Sequence, residues 1–187
     1  MARYELGAIY KIDDQNGEIY YFRLLTNDCY GVFAPLKGEL NEETFAQTPY
    51  RLYFSCSSFP IKRGIWEKVI PSPNRADIKL WQRPQYLANF GNFNRKLFIE
   101  QCKVYYQDGN LGKCESKEKF IALVKSGMIL HLFNKYEMVT NFLMRYYRDY
   151  PNSYILDKEF IHSGTIEYKK EQFDVLRELG LEIADSL

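Results

Sequence analysis

Hydrophobic and polar residues alternate through much of the first 110 positions, and this period of two is typical of β-strands. The runs 8–12 and 18–25 flank a turn sequence at 13–17 whose Asn-Gly step favours a tight hairpin. In the second run large apolar side chains fall on both faces, which predicts an antiparallel sheet or small barrel with one side packed inside and the other partly covered. Further strands are predicted at 30–36, 51–57, 64–71 and 96–106, and a short helix at 42–47.

Helical spacing replaces this alternation after position 115. Phe120, Leu123 and Val124 form one apolar stripe on a predicted helix, which Gly127 ends. The segments predicted in this part are helices over 117–126, 135–150 and 171–179 and a strand over 128–133. No linker or repeat separates the two parts, so we predict a single α+β domain over 1–187. It is mainly β over 1–110 and mainly α with a short strand over 111–187.

Composition argues against most kinds of catalysis. The 187 residues include 16 Tyr and 13 Phe but only two His, His131 and His162. His131 lies in an apolar run, where a hydrogen-bonded structural histidine is favoured over a general base, and His162 lies in a loop-like sequence that favours a surface position. A hydrolase that uses either histidine remains the alternative interpretation.

Other signatures of reactive sites are absent from the sequence. Neither glycine-rich phosphate-binding motif occurs, and the adjacent pairs Asp13-Asp14 and Glu42-Glu43 have no neighbouring histidine that would help to hold a metal. We therefore expect no catalytic residue, no cofactor, no metal site and no small-molecule substrate. The chain is predicted not to be an enzyme.

The compartment is predicted from the start of the chain and from its cysteines. The first residues lack the apolar stretch of a secretory signal, and no run approaches the length that a membrane span requires. We expect a cytoplasmic protein without membrane contacts. Its four cysteines have no regular spacing, which favours free thiols over a zinc or redox motif and leaves disulfides as the alternative. They are Cys29, Cys56, Cys102 and Cys114.

Charge is distributed unevenly although the whole chain has a net charge of +1. Five basic residues face eight acidic ones over 1–60, whereas ten face four over 61–113. Within that basic part, segment 75–106 interleaves basic residues with aromatic rings, a combination that single-stranded nucleic acids require. The alternative, a packed core with solvated charges around it, is favoured because the chain as a whole is nearly neutral. The residues concerned are Arg75, Lys79, Arg83, Arg95, Lys96 and Lys103, with Trp81, Tyr86, Phe90, Phe93, Phe98 and Tyr105.

Three short segments carry a resemblance to a known family. They are Gly7-Ala8-Ile9-Tyr10-Lys11-Ile12, Tyr20-Tyr21-Phe22-Arg23-Leu24-Leu25 and Gly64-Ile65-Trp66-Glu67-Lys68-Val69-Ile70-Pro71-Ser72-Pro73. Over residues 5–110 the chain resembles the immunity protein 26 family of bacterial polymorphic toxin systems, which include systems of contact-dependent growth inhibition. Members begin with a glycine-led strand, a turn and an aromatic strand, and later carry a tryptophan before an aliphatic pair and a proline. The helical part from Ser116 onward departs from this pattern.

The resemblance implies a function in toxin neutralisation through protein–protein interaction. It implies a mostly β cytosolic protein that binds a cognate toxin domain, and it carries over no binding residue, because Trp66 is expected to be a core anchor. A nuclease toxin would present a basic groove, so acidic side chains are the candidate contacts, with solvated turn residues as the alternative. These candidates are Asp13, Asp14, Glu18, Glu39, Glu42 and Glu43. The second function considered is a nucleic-acid-binding module that uses segment 75–106.

Overall fold

A computed structural model of the chain describes residues 4–14, 16–26, 28–73, 86–87, 103–105, 110–151, 174, 177–178 and 180. Its main sheet contains β1 (Ile9–Asp13), β2 (Ile19–Thr26), β3 (Cys29–Phe33), β4 (Tyr50–Ser55), β5 (Glu67–Ile70) and β9 (Leu130–Leu132). A smaller sheet contains β6 (Tyr86–Leu87), β7 (Lys103–Tyr105) and β8 (Leu111–Lys113). The helices are α1 (Glu42–Gln47), α2 (Phe59–Arg63), α3 (Lys117–Lys125) and α4 (Tyr136–Tyr146). The helix predicted at 171–179 lies mostly outside these residues.

The main sheet is open and mixed, in the order β5-β1-β2-β3-β4-β9. Every pairing is antiparallel except that of β9 with β4, which is parallel. A parallel neighbour needs a long crossover, and here the chain between β4 and β9 contains α2, the smaller sheet and α3. The α+β prediction is confirmed and its antiparallel sheet is found in five strands, whereas the small-barrel alternative is wrong because β5 and β9 form two separate edges.

Side chains from both faces of this sheet are buried. On the first face, β2 contributes Tyr20, Phe22 and Leu24, which pack with Trp66 and with the apolar side of α4. On the second face lie Ile9, Leu25 and Phe33, together with Phe45 of α1. Alternation along each strand produces the two sets. The aromatic residues of the N-terminal strands are thus explained by a sheet with two apolar faces, and Trp66, 3% exposed, is a core residue as expected.

The local sequence explains where most of the turns and helices begin and end. The β1–β2 turn has Gly17 at a φ of +82°, where a side chain would be strained. The α1 helix has the predicted bounds, because the Asn41 side chain accepts a hydrogen bond from the Thr44 amide. The α2 helix lies between two predicted strands and is not among the predicted elements. Its Pro60 occupies an early helical position, which tolerates proline.

Candidate partner-binding surface

All six acidic candidates lie in two segments at the same end of the main sheet. The β1–β2 turn connects the strands at this end, and β3 runs back to it before residues 34–49 lead through α1 into β4. The structure therefore brings together groups that are up to 30 positions apart in the sequence. What each carboxylate contacts decides which of them can face a partner.

Asp14 is part of the turn itself and is buried. Its Oδ1 accepts hydrogen bonds from the amides of Asn16 and Glu18 at 2.7 and 2.8 Å, and its Oδ2 accepts one from the Tyr20 hydroxyl at 3.2 Å. A carboxylate that closes a turn in this way stabilises the local backbone. Asp14 is thus a structural residue, and neither a surface contact nor a solvated turn residue.

Asp13 and Glu18 form surface ion pairs. Asp13 Oδ2 lies 3.2 Å from Lys11 Nζ. Glu18 pairs with Arg148, just after the end of α4, and also accepts a hydrogen bond from Tyr20. Ion pairs of this exposure contribute little to stability and exchange readily with water or with other charges. Both side chains therefore remain accessible, although each already has a cation beside it.

Glu42 holds α1 against the sheet. The Arg23 side chain is fully buried in the middle of β2, and its Nη2 donates to Glu42 Oε1 at 2.5 Å. The guanidinium also lies 5.6 Å from the centre of the Phe33 ring. A buried arginine needs a counter-charge, so Glu42 is committed to this pair. The sequence contained a signal for this role, since Arg23 is the only charged residue in the apolar run 19–25.

Glu39 and Glu43 are the two candidates that the fold leaves exposed without an ion pair to any described residue. Between them in sequence lies Leu40, which is 53% exposed although it is a large apolar side chain. Glu39, Leu40 and Glu43 are called the acidic surface below. An exposed leucine with two exposed carboxylates within three residues of it in the sequence combines an apolar anchor with charges that select a basic partner. Composition and spacing gave no reason to single out Leu40.

His131 lies on β9, where it is partly buried and packs against core residues. Its ring packs 4.6 Å from that of Phe142, and Nε2 lies 3.1 Å from the Tyr150 hydroxyl, which itself donates to the Gly127 carbonyl. The hydroxyl can therefore accept from a neutral imidazole that carries its proton on Nε2. Burial lowers the pKa of His131 to about 3. A histidine that stays neutral in this way fits a structural role, and His162 lies outside the described residues.

In the described part of the chain, the cysteines and the potential metal ligands form no reactive cluster. Cys29, Cys56 and Cys114 are buried thiols, and burial raises the pKa of Cys56 to about 11, which keeps it protonated. Cys102 lies outside the described residues. Within the described ranges, no group of three or more potential metal ligands occurs, and no helix is long and apolar enough to cross a membrane.

The basic aromatic segment 75–106 lies almost wholly outside the described residues. Of that segment only β6 and β7 are described, and they pair through Tyr86 opposite Tyr105 and Leu87 opposite Val104. Val104 is buried and Lys103 is exposed, as in any strand with one packed face. The nucleic-acid interpretation therefore gains no argument from the described part of the chain.

Comparisons with known proteins do not assign a function to this chain. No family model matches it, and neither a curated protein sequence nor a solved structure does.

Proposed function

We propose that this chain is a non-enzymatic immunity-type protein of the bacterial cytosol that binds and neutralises a cognate toxin domain. The observation that carries the proposal is the acidic surface, with half-exposed Leu40 between the exposed carboxylates of Glu39 and Glu43. The short segments that resemble the immunity protein 26 family add to it. No comparably built catalytic arrangement occurs in the described residues.

The second face of the sheet provides a rigid base for this surface. Phe45 of α1 packs against Phe33 with ring centres 4.7 Å apart, and the pair between Arg23 and Glu42 fixes the helix further along the sheet. A binding surface that is already ordered loses little entropy when a partner docks. Such pre-organisation suits a protein whose task is to occlude another protein tightly.

The negative charge of the acidic surface favours a toxin with a basic face. Carboxylates that flank an apolar anchor favour a basic face, and a toxin that cleaves or binds nucleic acid presents one. We propose a nuclease toxin domain as the partner, with Glu39 and Glu43 opposite its Lys and Arg side chains. Asp13, which lies on the same face of β1 as Lys11, would contribute at the rim.

A co-expression experiment tests this function. The toxin domain encoded beside the gene for this chain is expressed in a bacterial host with and without the chain, and both growth and co-purification are measured. We expect the chain to restore growth and to elute with the toxin as one complex. Growth arrest despite soluble expression of the chain, or separate elution of two folded proteins at micromolar concentration, would overturn the proposal.

A further inference from the structure

Part of the second face of the main sheet remains exposed beside α1. Ile19, the first residue of β2, has its side chain on this face, because Tyr21 two residues later packs there with its ring 5.6 Å from that of Phe45. The Ile19 side chain is nevertheless 45% exposed. It lies about 7 Å along the strand from Tyr21, towards the β1–β2 turn. The sheet therefore presents an apolar side chain to solvent next to the helix.

Three charged side chains share this exposed corner of the sheet. Asp13 lies directly opposite Ile19 where β1 pairs with β2, and Glu67 lies opposite Lys11 where β1 pairs with β5. Cross-strand partners project from the same face of a sheet, as do residues two apart on one strand. The four side chains therefore lie together, and they are called the corner surface below: Lys11, Asp13, Ile19 and Glu67.

The Lys11 side chain is held between the two carboxylates. Its Nζ lies 3.2 Å from Asp13 Oδ2 and 3.1 Å from Glu67 Oε2, and both acidic side chains are more than half exposed. One positive and two negative charges give the corner surface a net charge of −1. Lys11 thus weakens the negative charge of a surface whose two carboxylates would attract a basic partner.

The acidic surface alone is too small for a stable complex. Its members are Glu39, Leu40 and Glu43, whereas a specific protein–protein interface contains about 20 to 30 residues on each side. A toxin domain that docks there must also cover neighbouring parts of the molecule. Residues 34–49 and the β1–β2 turn lie at the same end of the main sheet, so the corner surface is within reach of the same partner.

We propose, on the basis of the proposed function, that the toxin domain also contacts the corner surface, with Ile19 as a second apolar anchor besides Leu40. Asp13 and Glu67 then lie opposite basic side chains of the toxin. Such a surface requires a partner with apolar side chains within a basic face. Lys11 sets the strength of the attraction, because it offsets one of the two carboxylates. Nucleic acid does not fit this surface, since a net negative charge repels phosphates.

The Lys11→Gln variant tests the charge of the corner surface, and a merely structural role of Lys11 would not predict its result. The change makes this surface more negative, so we expect the toxin domain to associate at least about threefold faster at low salt. At about 0.5 M salt the gain should largely disappear, because the charges are screened. Stopped-flow mixing of the purified chain with the toxin domain encoded beside its gene measures the rate. The matched control is Lys117→Gln, which removes the same charge from an exposed position on α3.

The Ile19→Ser variant tests the apolar anchor. We expect its complex with the toxin domain to dissociate at least about fivefold faster, because loss of an anchor acts mainly on the dissociation rate. The matched control is Ile65→Ser, since Ile65 is 48% exposed but lies beside α2, which packs on the first face. The control should dissociate like the wild type. Thermal unfolding of both variants verifies that they are folded.

Two results would overturn this proposal and leave the proposed function intact, because the wild type would still bind. One is an equal association rate of Lys11→Gln and Lys117→Gln. The other is an equal dissociation rate of Ile19→Ser and Ile65→Ser. A wild-type chain that does not bind the toxin domain would overturn the proposed function and this inference together. Self-association of the chain alone that Ile19→Ser abolishes would also overturn the proposal, because a second copy would then occupy the corner surface.

Discussion

Arg23 and Glu42 form an ion pair that joins the centre of the main sheet to α1. The arginine is completely buried and its Nη2 lies 2.5 Å from the Glu42 carboxylate. The α1 helix has only six residues, so tertiary contacts must stabilise it. The proposed binding surface at its start therefore depends on a charge pair that lies beneath it.

Replacement of Glu42 by Ala should destabilise the protein strongly. The change leaves a buried guanidinium without its counter-charge, and we expect a loss of about 3 kcal/mol in the free energy of unfolding. Urea denaturation of the variant and of the wild type measures this loss. Glu43→Ala is the matched control, because Glu43 is exposed on the same helix turn and should change stability by less than about 0.5 kcal/mol. Equal losses in the two variants would contradict the role given to the pair.

His131 should make stability depend on pH. Its pKa is about 3 in the folded protein and about 6.5 in an unfolded chain. The unfolded state therefore binds more protons below pH 6.5, and stability falls as the pH decreases from 6.5 towards 3, by up to about 1.4 kcal/mol per pH unit. Urea denaturation at pH 7, 6 and 5 measures the slope. We expect His131→Phe to lack this contribution. An identical slope in both proteins would show that the pKa of His131 does not differ between the folded and unfolded states.

Gly127 should tolerate no side chain. Its φ is +74°, and an added Cβ would lie 2.4 Å from Tyr150 Cε1 and 2.8 Å from Pro151 Cβ. Gly127→Ala combines backbone strain with overpacking, so we expect a loss of about 3 kcal/mol. Gly17→Ala has a similar φ and open space, so it should lose only about 1 kcal/mol. Thermal unfolding of the two variants measures both losses of stability. Equal losses would show that the close approach to Tyr150 and Pro151 costs nothing.

The Tyr30→Phe variant should be more stable than the wild-type protein. Its hydroxyl is buried and has no hydrogen-bond partner among the described residues. Removal of an unsatisfied buried polar group should raise the free energy of unfolding by about 1 kcal/mol. The control is Tyr10→Phe, because the Tyr10 hydroxyl accepts from the Glu5 amide at 2.9 Å, and its removal should lower stability by a similar amount. A destabilised Tyr30→Phe would reveal a partner for this hydroxyl.

Local patterns predicted local structure well. The β1–β2 hairpin and the bounds of α1 followed from alternation, from Gly17 and from the cap at Asn41, all of which act within a few residues. The bounds of α4 were predicted less well, because its N-cap, Lys135, makes no side-chain hydrogen bond and the helix ends at Tyr146. The open sheet was one of two alternatives that the same alternation allowed.

Such local patterns could not predict contacts between residues that are far apart in the sequence. The parallel pairing of β9 with β4 depends on a crossover of more than 70 residues, and no periodicity encodes it. The six acidic residues were grouped by charge alone. Their separate roles emerged only with their partners, such as Arg23, which is 19 positions from Glu42. Exposure of Leu40 likewise follows from how α1 packs.

The most direct test of the central claim is a calorimetric titration of the folded chain with the toxin domain encoded beside its gene. The account predicts micromolar or tighter binding that is at least about tenfold weaker for Glu39→Lys/Glu43→Lys and unchanged for Glu115→Lys/Glu137→Lys, which reverses two exposed acidic residues elsewhere. Wild-type binding that is absent, or that Glu39→Lys/Glu43→Lys leaves intact, would contradict it.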